Sequence, residues 1–332
     1  MKATLETAGE RLLIESALPW VSELVREGAG GELREPADAE PSVTVHVEKA
    51  RGKFAVDGWD LLARGVWHRR GEVVVENACT SGFDLHVRHS NEQTSLTCRW
   101  NPPPRDRAAA RVLRSRFHLL ARAVLLQYPA LWRAGLRGRA PLHASACETA
   151  ARTSLVTAQS GIGRSTLLLD EVEAGARITG DNLGVGEGTT LWGLVEPMRV
   201  KNAGGRRMPH GRSETSLQDR AAALEPECLV VLVRGQGDQP SLTPCTREAA
   251  ANALAASTYM AGELRRYWAF AATLAAGTGA SPVHPPVATV ASTFAATVPC
   301  FTLALGREHG ASLSELLASA AFVRRDPRGR AA

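Results

Sequence analysis

Polar and apolar residues alternate in short runs over the first hundred positions: Ser42 to Val47, Lys53 to Asp57, Glu72 to Glu76, Asp84 to Arg88 and Thr94 to Trp100, bounded by Gly, Asn, Ser and Asp. Alternation of this kind puts every second side chain on one face of a strand. The runs therefore predict an antiparallel, mainly β (α+β) region over residues 1–104. Asn101-Pro102-Pro103-Pro104 ends it. From Arg105 the apolar spacing lengthens to that of a helix, and Ala, Leu, Val and Phe predict one long helix to about Tyr128, stopped by Pro129.

Beyond Pro141 the pattern changes again. Apolar strands are predicted at Leu142 to Cys147 and Ser154 to Ala158, then a glycine turn, then a helix from Arg164 to about Val172 that Gly175 would stop. A third strand, Arg177 to Thr179, runs into Gly180-Asp181-Asn182, and Thr189 to Leu194 predicts a fourth. Residues 201–217 are glycine-rich, basic and polar, which predicts a mobile loop. Leu229 to Val233 predicts a buried strand, Arg247 to about Ala276 a single long Ala-rich helix, and Leu313 to Val323 a shorter one. Strand, glycine loop, helix and strand make the nucleotide-binding half of an α/β domain, so the fold class expected is α/β, with that domain and its connecting helix over residues 105–332.

Composition narrows the picture. With 332 residues, 44% hydrophobic and 22% charged, the chain matches ordinary globular domains rather than disordered or fibrous ones. No apolar run reaches the ~18 residues of a membrane span. The start, Met1-Lys2-Ala3-Thr4-Leu5-Glu6, lacks a basic-then-apolar leader, so a cytoplasmic location is expected. Six cysteines are scattered singly, which predicts buried free thiols rather than a zinc site or a disulfide framework. A net charge of +5, carried mostly by arginine, suits phosphorylated or acidic partners; no nucleic acid is expected.

The candidate chemistry lies in the glycine turn. Residues 158–166 read Ala-Gln-Ser-Gly-Ile-Gly-Arg-Ser-Thr, the P-loop pattern with Ala158 in place of its first glycine and Arg164 in place of its lysine. A helix N-terminus that follows glycines offers unpaired N–H groups and the positive end of a dipole, which is how phosphates are held. Ser160, Gly161, Ile162, Gly163, Arg164, Ser165 and Thr166 would form this cradle for ATP or GTP. The Ser165 hydroxyl would meet Mg²⁺, and Arg164 would press a cation against the phosphates. The same glycines also suit a plain strand-to-helix turn. Asp181, at a strand end beside the loop, is placed to take a proton from an acceptor hydroxyl or to hold the metal.

Other residues have two readings each. His143 is either a chemical group of the site or a satisfied core residue. Glu196 and Arg199 make either a surface pair or ligands on the rim of Asp181. Arg206, Arg207 and Arg212, around His210-Gly211, could clamp a phosphate or an acidic acceptor, or belong to a solvated loop. Glu263, Arg265, Arg266 and Tyr267 cluster within an apolar helix, for internal ion pairing or acceptor binding.

The order Leu142-His143-Ala144-Ser145, then Ala158 to Thr166, then Leu167 to Gly175, then Gly180-Asp181-Asn182 resembles the HPr kinase/phosphorylase family and its HPr-kinase-like relatives, whose core is related to PEP carboxykinase. The resemblance covers about residues 140 to 200. It implies a kinase that moves the γ-phosphoryl group of ATP to a serine or other hydroxyl of a peptide, protein or small molecule, with Mg²⁺ on the phosphates. It also implies Asp181 as base, Ser165 and Asp181 at the metal, His143 nearby, and self-association into a homo-oligomer. Ala158, Arg164 and Asn182 depart from the family's pattern. Those departures leave open a non-catalytic, degenerate kinase fold that binds a peptide or nucleotide.

Overall fold

Eight strands, all drawn from the first hundred residues, form one sheet in the order Lys2–Thr7, Glu10–Ser16, Val43–Glu48, Thr94–Trp100, Phe83–His89, Glu72–Val75, Val66–Arg69 and Asp60–Ala63. The computed structural model describes all residues except 37–38, 51, 91–92, 202–205, 209–210, 218, 281–283, 308–310 and 321–332. The sheet is mixed, not antiparallel as its alternation predicted. Val43–Glu48 runs parallel to both neighbours, and the helix Pro19–Ala29 supplies the crossover from Glu10–Ser16. Within Val43–Glu48 the buried residues alternate with half-buried ones, the burial that a one-sided core imposes. Lys53 to Asp57 forms no strand. Its Phe54 ring instead lies 4.1 Å beneath the Arg99 guanidinium and edge-on to His86, so the alternation serves the rim rather than a ladder.

The expected helix after Pro104 is several pieces: Pro104–Val112, Arg114–Arg122, a wide turn at Ala123–Gln127, and Tyr128–Leu136. Pro129 does not stop it. The Tyr128 N–H bonds to the Ala123 carbonyl, five residues back, and this wide turn admits the proline ring into the first turn of the next helix. This helical column, together with Tyr267–Thr278, closes the core under the N-terminal sheet.

The second body is mixed α/β. Its main sheet has six strands in the order Arg177–Ile178, Ala144–Glu148, Thr153–Ala158, Cys228–Arg234, Cys300–Leu305 and Ser241–Pro244. The central three are parallel. Successive residues face opposite layers. Leu155 and Leu229 pack toward the helices Arg247–Met260 and Val287–Thr297, whereas Val156, Val230 and Leu232 pack toward Arg164–Glu173 and Leu313–Ser319. A sheet buried on both faces needs such continuous apolar strands. Truncating a fully buried residue such as Leu155 to Ala would cost about 2–5 kcal/mol.

Three other expectations are corrected here. Leu142 to Cys147 is not one strand: Ala140–Leu142 joins a four-stranded sheet and Ala144–Glu148 the six-stranded one, so the chain changes sheets at His143. Arg247 to Ala276 is two helices, Arg247–Met260 and Tyr267–Thr278, with Glu263 to Arg266 in the break between them. The basic stretch 201–217 holds the middle strand, Arg212–Thr215, and an outer strand, Arg206–Arg207, of a small sheet completed by Met198–Lys201. The last helix ends at Ser319, and Val323 lies outside the described residues.

Candidate functional site

The parallel strands Thr153–Ala158, Cys228–Arg234 and Cys300–Leu305 end at one edge of their sheet, where α/β folds hold ligands. The glycine loop leaves from Ala158. Gly161 and Gly163 take φ of 86° and 129°, values that strain any side chain. A Cβ on Gly163 would also come within 3.2 Å of Leu305 Cδ1. The helix Arg164–Glu173 begins at once, with Gly163 as N-cap and no side chain capping it. Its first N–H groups therefore have no intrahelical partner, and the positive end of its dipole faces the loop.

These groups open on a cavity of about 250 Å³. Ser160, Gly161, Ile162, Gly163, Ser165 and Thr166 form one wall. Opposite stand His143, Asn182, Arg199, Val200, Arg212 and Arg234. No carboxylate lines it among the described residues. Arg212 makes no side-chain hydrogen bond or ion pair there, and Arg234 donates only to the Gly161 carbonyl, at 3.3 Å. Arg234 escaped the sequence reading, which saw a buried strand ending at Val233. Only the parallel register, which sets Ala158 opposite Leu232, reveals that the next residues reach the loop.

Arg164 also lines the cavity, but its guanidinium is engaged by the main chain. It is 6% exposed, and its guanidinium donates to the main-chain carbonyls of His143 at 2.7 Å and Asn182 at 3.0 Å. Burial lowers its pKa, and the charges of Asp181, Glu196 and Glu263 oppose that shift. The His143 carbonyl also accepts from the Thr157 hydroxyl, and its N–H donates to Thr258 Oγ1 at 2.9 Å. Side chains thus satisfy the peptide groups that the change of sheet strips of ladder partners. The imidazole is buried, and desolvation aided by Arg164 pushes its pKa down to about 3, so it is neutral at ordinary pH. Its Nδ1 has no hydrogen-bond partner.

Asp181 is wholly buried behind Asn182 and does not line the cavity. Its Oδ2 accepts from the Arg199 N–H at 2.9 Å and from the Asn182 amide, and its Oδ1 has no hydrogen-bond partner. Glu196 and Arg199 are no surface pair. Glu196 is 4% exposed, accepts the N–H groups of Asn182 and Leu183, and lies 3.6 Å from Arg199. Arg199 also meets Glu263 at 3.0 Å and Glu214 at 3.6 Å, and Glu214 in turn binds Arg122 at 2.5 Å. Burial works against the charge of Arg199, yet the surrounding carboxylates outweigh it and raise its pKa. Desolvation pushes Glu196 up to about 7, with Arg199 opposing and Asp181 and Glu263 adding to the rise. The break between the two Ala-rich helices brings Glu263 here, so internal ion pairing describes that residue. Arg265 and Arg266 make no ion pair among the described residues.

Arg206 and Arg207 lie away from the cavity that Arg212 lines. Arg206 pairs with Glu27 at 2.9 Å and touches His118, and Arg207 is exposed and offers its carbonyl to Ser115. The two flank the same small sheet as Arg212, but the pairing of Arg206 with Glu214 turns them toward the helices. His210 lies outside the described residues. All six cysteines are free; Cys98, Cys147, Cys228 and Cys300 are buried, as expected, whereas Cys79 and Cys245 are half-buried. No helix among the described residues is long and apolar enough to cross a membrane, and none of their His, Cys, Asp and Glu side chains cluster as a metal site. No family model matches the chain, and no curated protein matches it.

Proposed function

We propose that the cavity at the glycine loop binds the phosphates of ATP or GTP, and that the chain is an HPr-kinase-like phosphotransferase acting on a hydroxyl of a peptide, protein or small molecule. The cavity lining carries the reading: an uncapped helix N-terminus after two glycines at positive φ, faced by Arg212 and Arg234 and by no carboxylate among the described residues. Such a surface attracts a polyanion from every side. In this reading Arg212 and Arg234 supply the charge that the consensus assigns to lysine, and Arg164 holds the wall together.

Asp181 is the base. It takes the acceptor's hydroxyl proton as the new O–P bond forms and the bond to the β-phosphate oxygen breaks, releasing the nucleoside diphosphate. The Ser165 hydroxyl, on the cavity wall, is the oxygen that would hold Mg²⁺, which needs few protein ligands when it arrives with phosphates and neutralises their charge. Calorimetry with ATP, GTP and non-hydrolysable analogues, with and without Mg²⁺, tests the reading. Magnesium-dependent binding weakened by Ser165→Ala is expected; no binding to any nucleotide would sink it.

A second reading, a degenerate kinase fold that binds without turnover, draws on the seclusion of Asp181 and the engagement of Arg164 by main-chain carbonyls. Nucleotide binding with no release of γ-phosphate in the presence of acceptor peptides would favour it.

A further inference from the structure

The segment Pro104 to Arg116 carries Arg105, Arg107, Arg111, Arg114 and Arg116 against a single acid, Asp106. All of these arginines are exposed, and none makes a side-chain hydrogen bond or ion pair among the described residues. Asp106 is already engaged by the Asn77 amide at 2.5 Å. The helix Pro104–Val112 buries no residue, and Val112 and Leu113 beside it are 81% and 48% exposed. A cavity lies on each side of this helix. One, of about 510 Å³, has Trp20, Trp100 and Phe117 in its wall with Arg107, Arg111 and Arg114 at its edge. The other, of about 370 Å³, is lined by Arg105, Leu113, Arg116, Phe117 and Leu120. The aromatic rings pack on one another, with centroids 5.2 Å apart for Trp20 and Trp100 and 5.8 Å for Trp20 and Phe117.

We propose that this double groove is a docking site for an acidic peptide segment whose carboxylates are interspersed with aromatic or aliphatic residues. The charge is complementary and not already spent. Glu27 offsets only Arg206 and His118, and Glu23 alone stands against the free arginines of the larger cavity. The apolar part of the surface separates the peptide from a nucleic acid. Exposed Val112 and Leu113 give nothing to phosphates, and the rings lie tilted or edge-on to each other rather than splayed as a platform on which bases stack. Carboxylates would take bidentate hydrogen bonds from the guanidiniums, while an aromatic or leucine side chain fills the space above Trp20 and Phe117.

Fluorescence anisotropy of the full chain with a labelled peptide of alternating glutamate and phenylalanine or leucine tests the proposal, independently of any nucleotide. Saturable binding is expected that weakens with salt. The combined change Arg107→Glu, Arg111→Glu and Arg114→Glu should weaken it by at least about tenfold, because those charges meet the ligand's own. Phe117→Ala should weaken binding of this peptide and leave a plain polyglutamate probe unaffected. The arginines are exposed and unpaired, so an unchanged melting temperature of the charge-reversed variant verifies that the fold persists. Three outcomes would overturn the proposal: no binding, binding indifferent to charge reversal, or a single-stranded oligonucleotide or polyglutamate binding as tightly as the mixed peptide.

Discussion

The guanidinium of Arg164 donates to the carbonyl oxygen of His143 at 2.7 Å, across the point where the chain leaves one sheet for another. The residue at the lysine position of a P-loop pattern is thus a brace between main-chain segments. The buried carboxylates behind it partly offset the burial of its charge, and in the proposed reading the phosphate-facing charge passes to Arg212 and Arg234.

Substitution at Arg164 should therefore act on stability. Arg164→Lys keeps the charge but not the planar fork, loses one of the two carbonyl bonds and is expected to cost about 1–2 kcal/mol. Arg164→Ala removes both carbonyl bonds, while Arg199 still faces Asp181 and Glu196, and is expected to cost about 3–5 kcal/mol. Urea denaturation measures both. An alanine variant as stable as the parent would show that the brace carries no weight.

Arg234→Ala and Arg212→Ala should each weaken nucleotide binding by about tenfold, the effect of removing one charge-assisted contact to phosphate. Neither side chain is buried, so melting temperatures should hold. Titration calorimetry decides; unchanged affinity in both variants would return the phosphate-facing role to Arg164.

Asp181→Asn should abolish phosphoryl transfer and leave nucleotide affinity within a few-fold, since the amide can still meet the Arg199 N–H but cannot take a proton. Single-turnover assays with labelled ATP, run beside binding measurements, separate the two effects. Loss of binding together with turnover would make Asp181 a structural or metal-holding residue instead.

Glu196 sets a pH dependence whose sign is fixed by its raised pKa. Folding moves it from 4.5 to about 7, so the native state binds the extra proton, and stability falls as pH rises through that window. His143 acts in the opposite sense. Its pKa drops from 6.5 to about 3, so the unfolded state binds the proton and stability is gained as pH rises between those values. The windows overlap, and Glu196→Gln separates them. Relative to the parent, the glutamine variant should gain stability between pH 4.5 and about pH 7. Chemical unfolding at several pH values checks this, and a difference that stays constant with pH would contradict it.

Where one layer of contacts decides local structure, the sequence was enough. Thr94 to Trp100 was read to the residue, because a one-sided core imposes alternation on a strand. The helix after the glycine loop began where expected at Arg164, because glycines at positive φ followed by helix formers specify that turn. The fold class, α/β with a β-rich first part, followed from such elements. Pro129 misled because a wide turn before it relieved the clash that normally ends a helix. The break after Met260 went unseen because alanine favours helix whether or not tertiary contacts interrupt it.

The site divides along the same line. Its loop, Ser160 to Thr166, was written locally, since the conformations it needs are properties of glycine and of a helix start. The partners of Arg164, the burial of Glu196 and Asp181, the reach of Arg234 to the loop and the separation of Arg206 from Arg212 were decided only by tertiary structure. Each depends on which strands become neighbours and on which face a strand turns inward, and long-range pairing sets those relations across stretches of chain that carry no local signal for it.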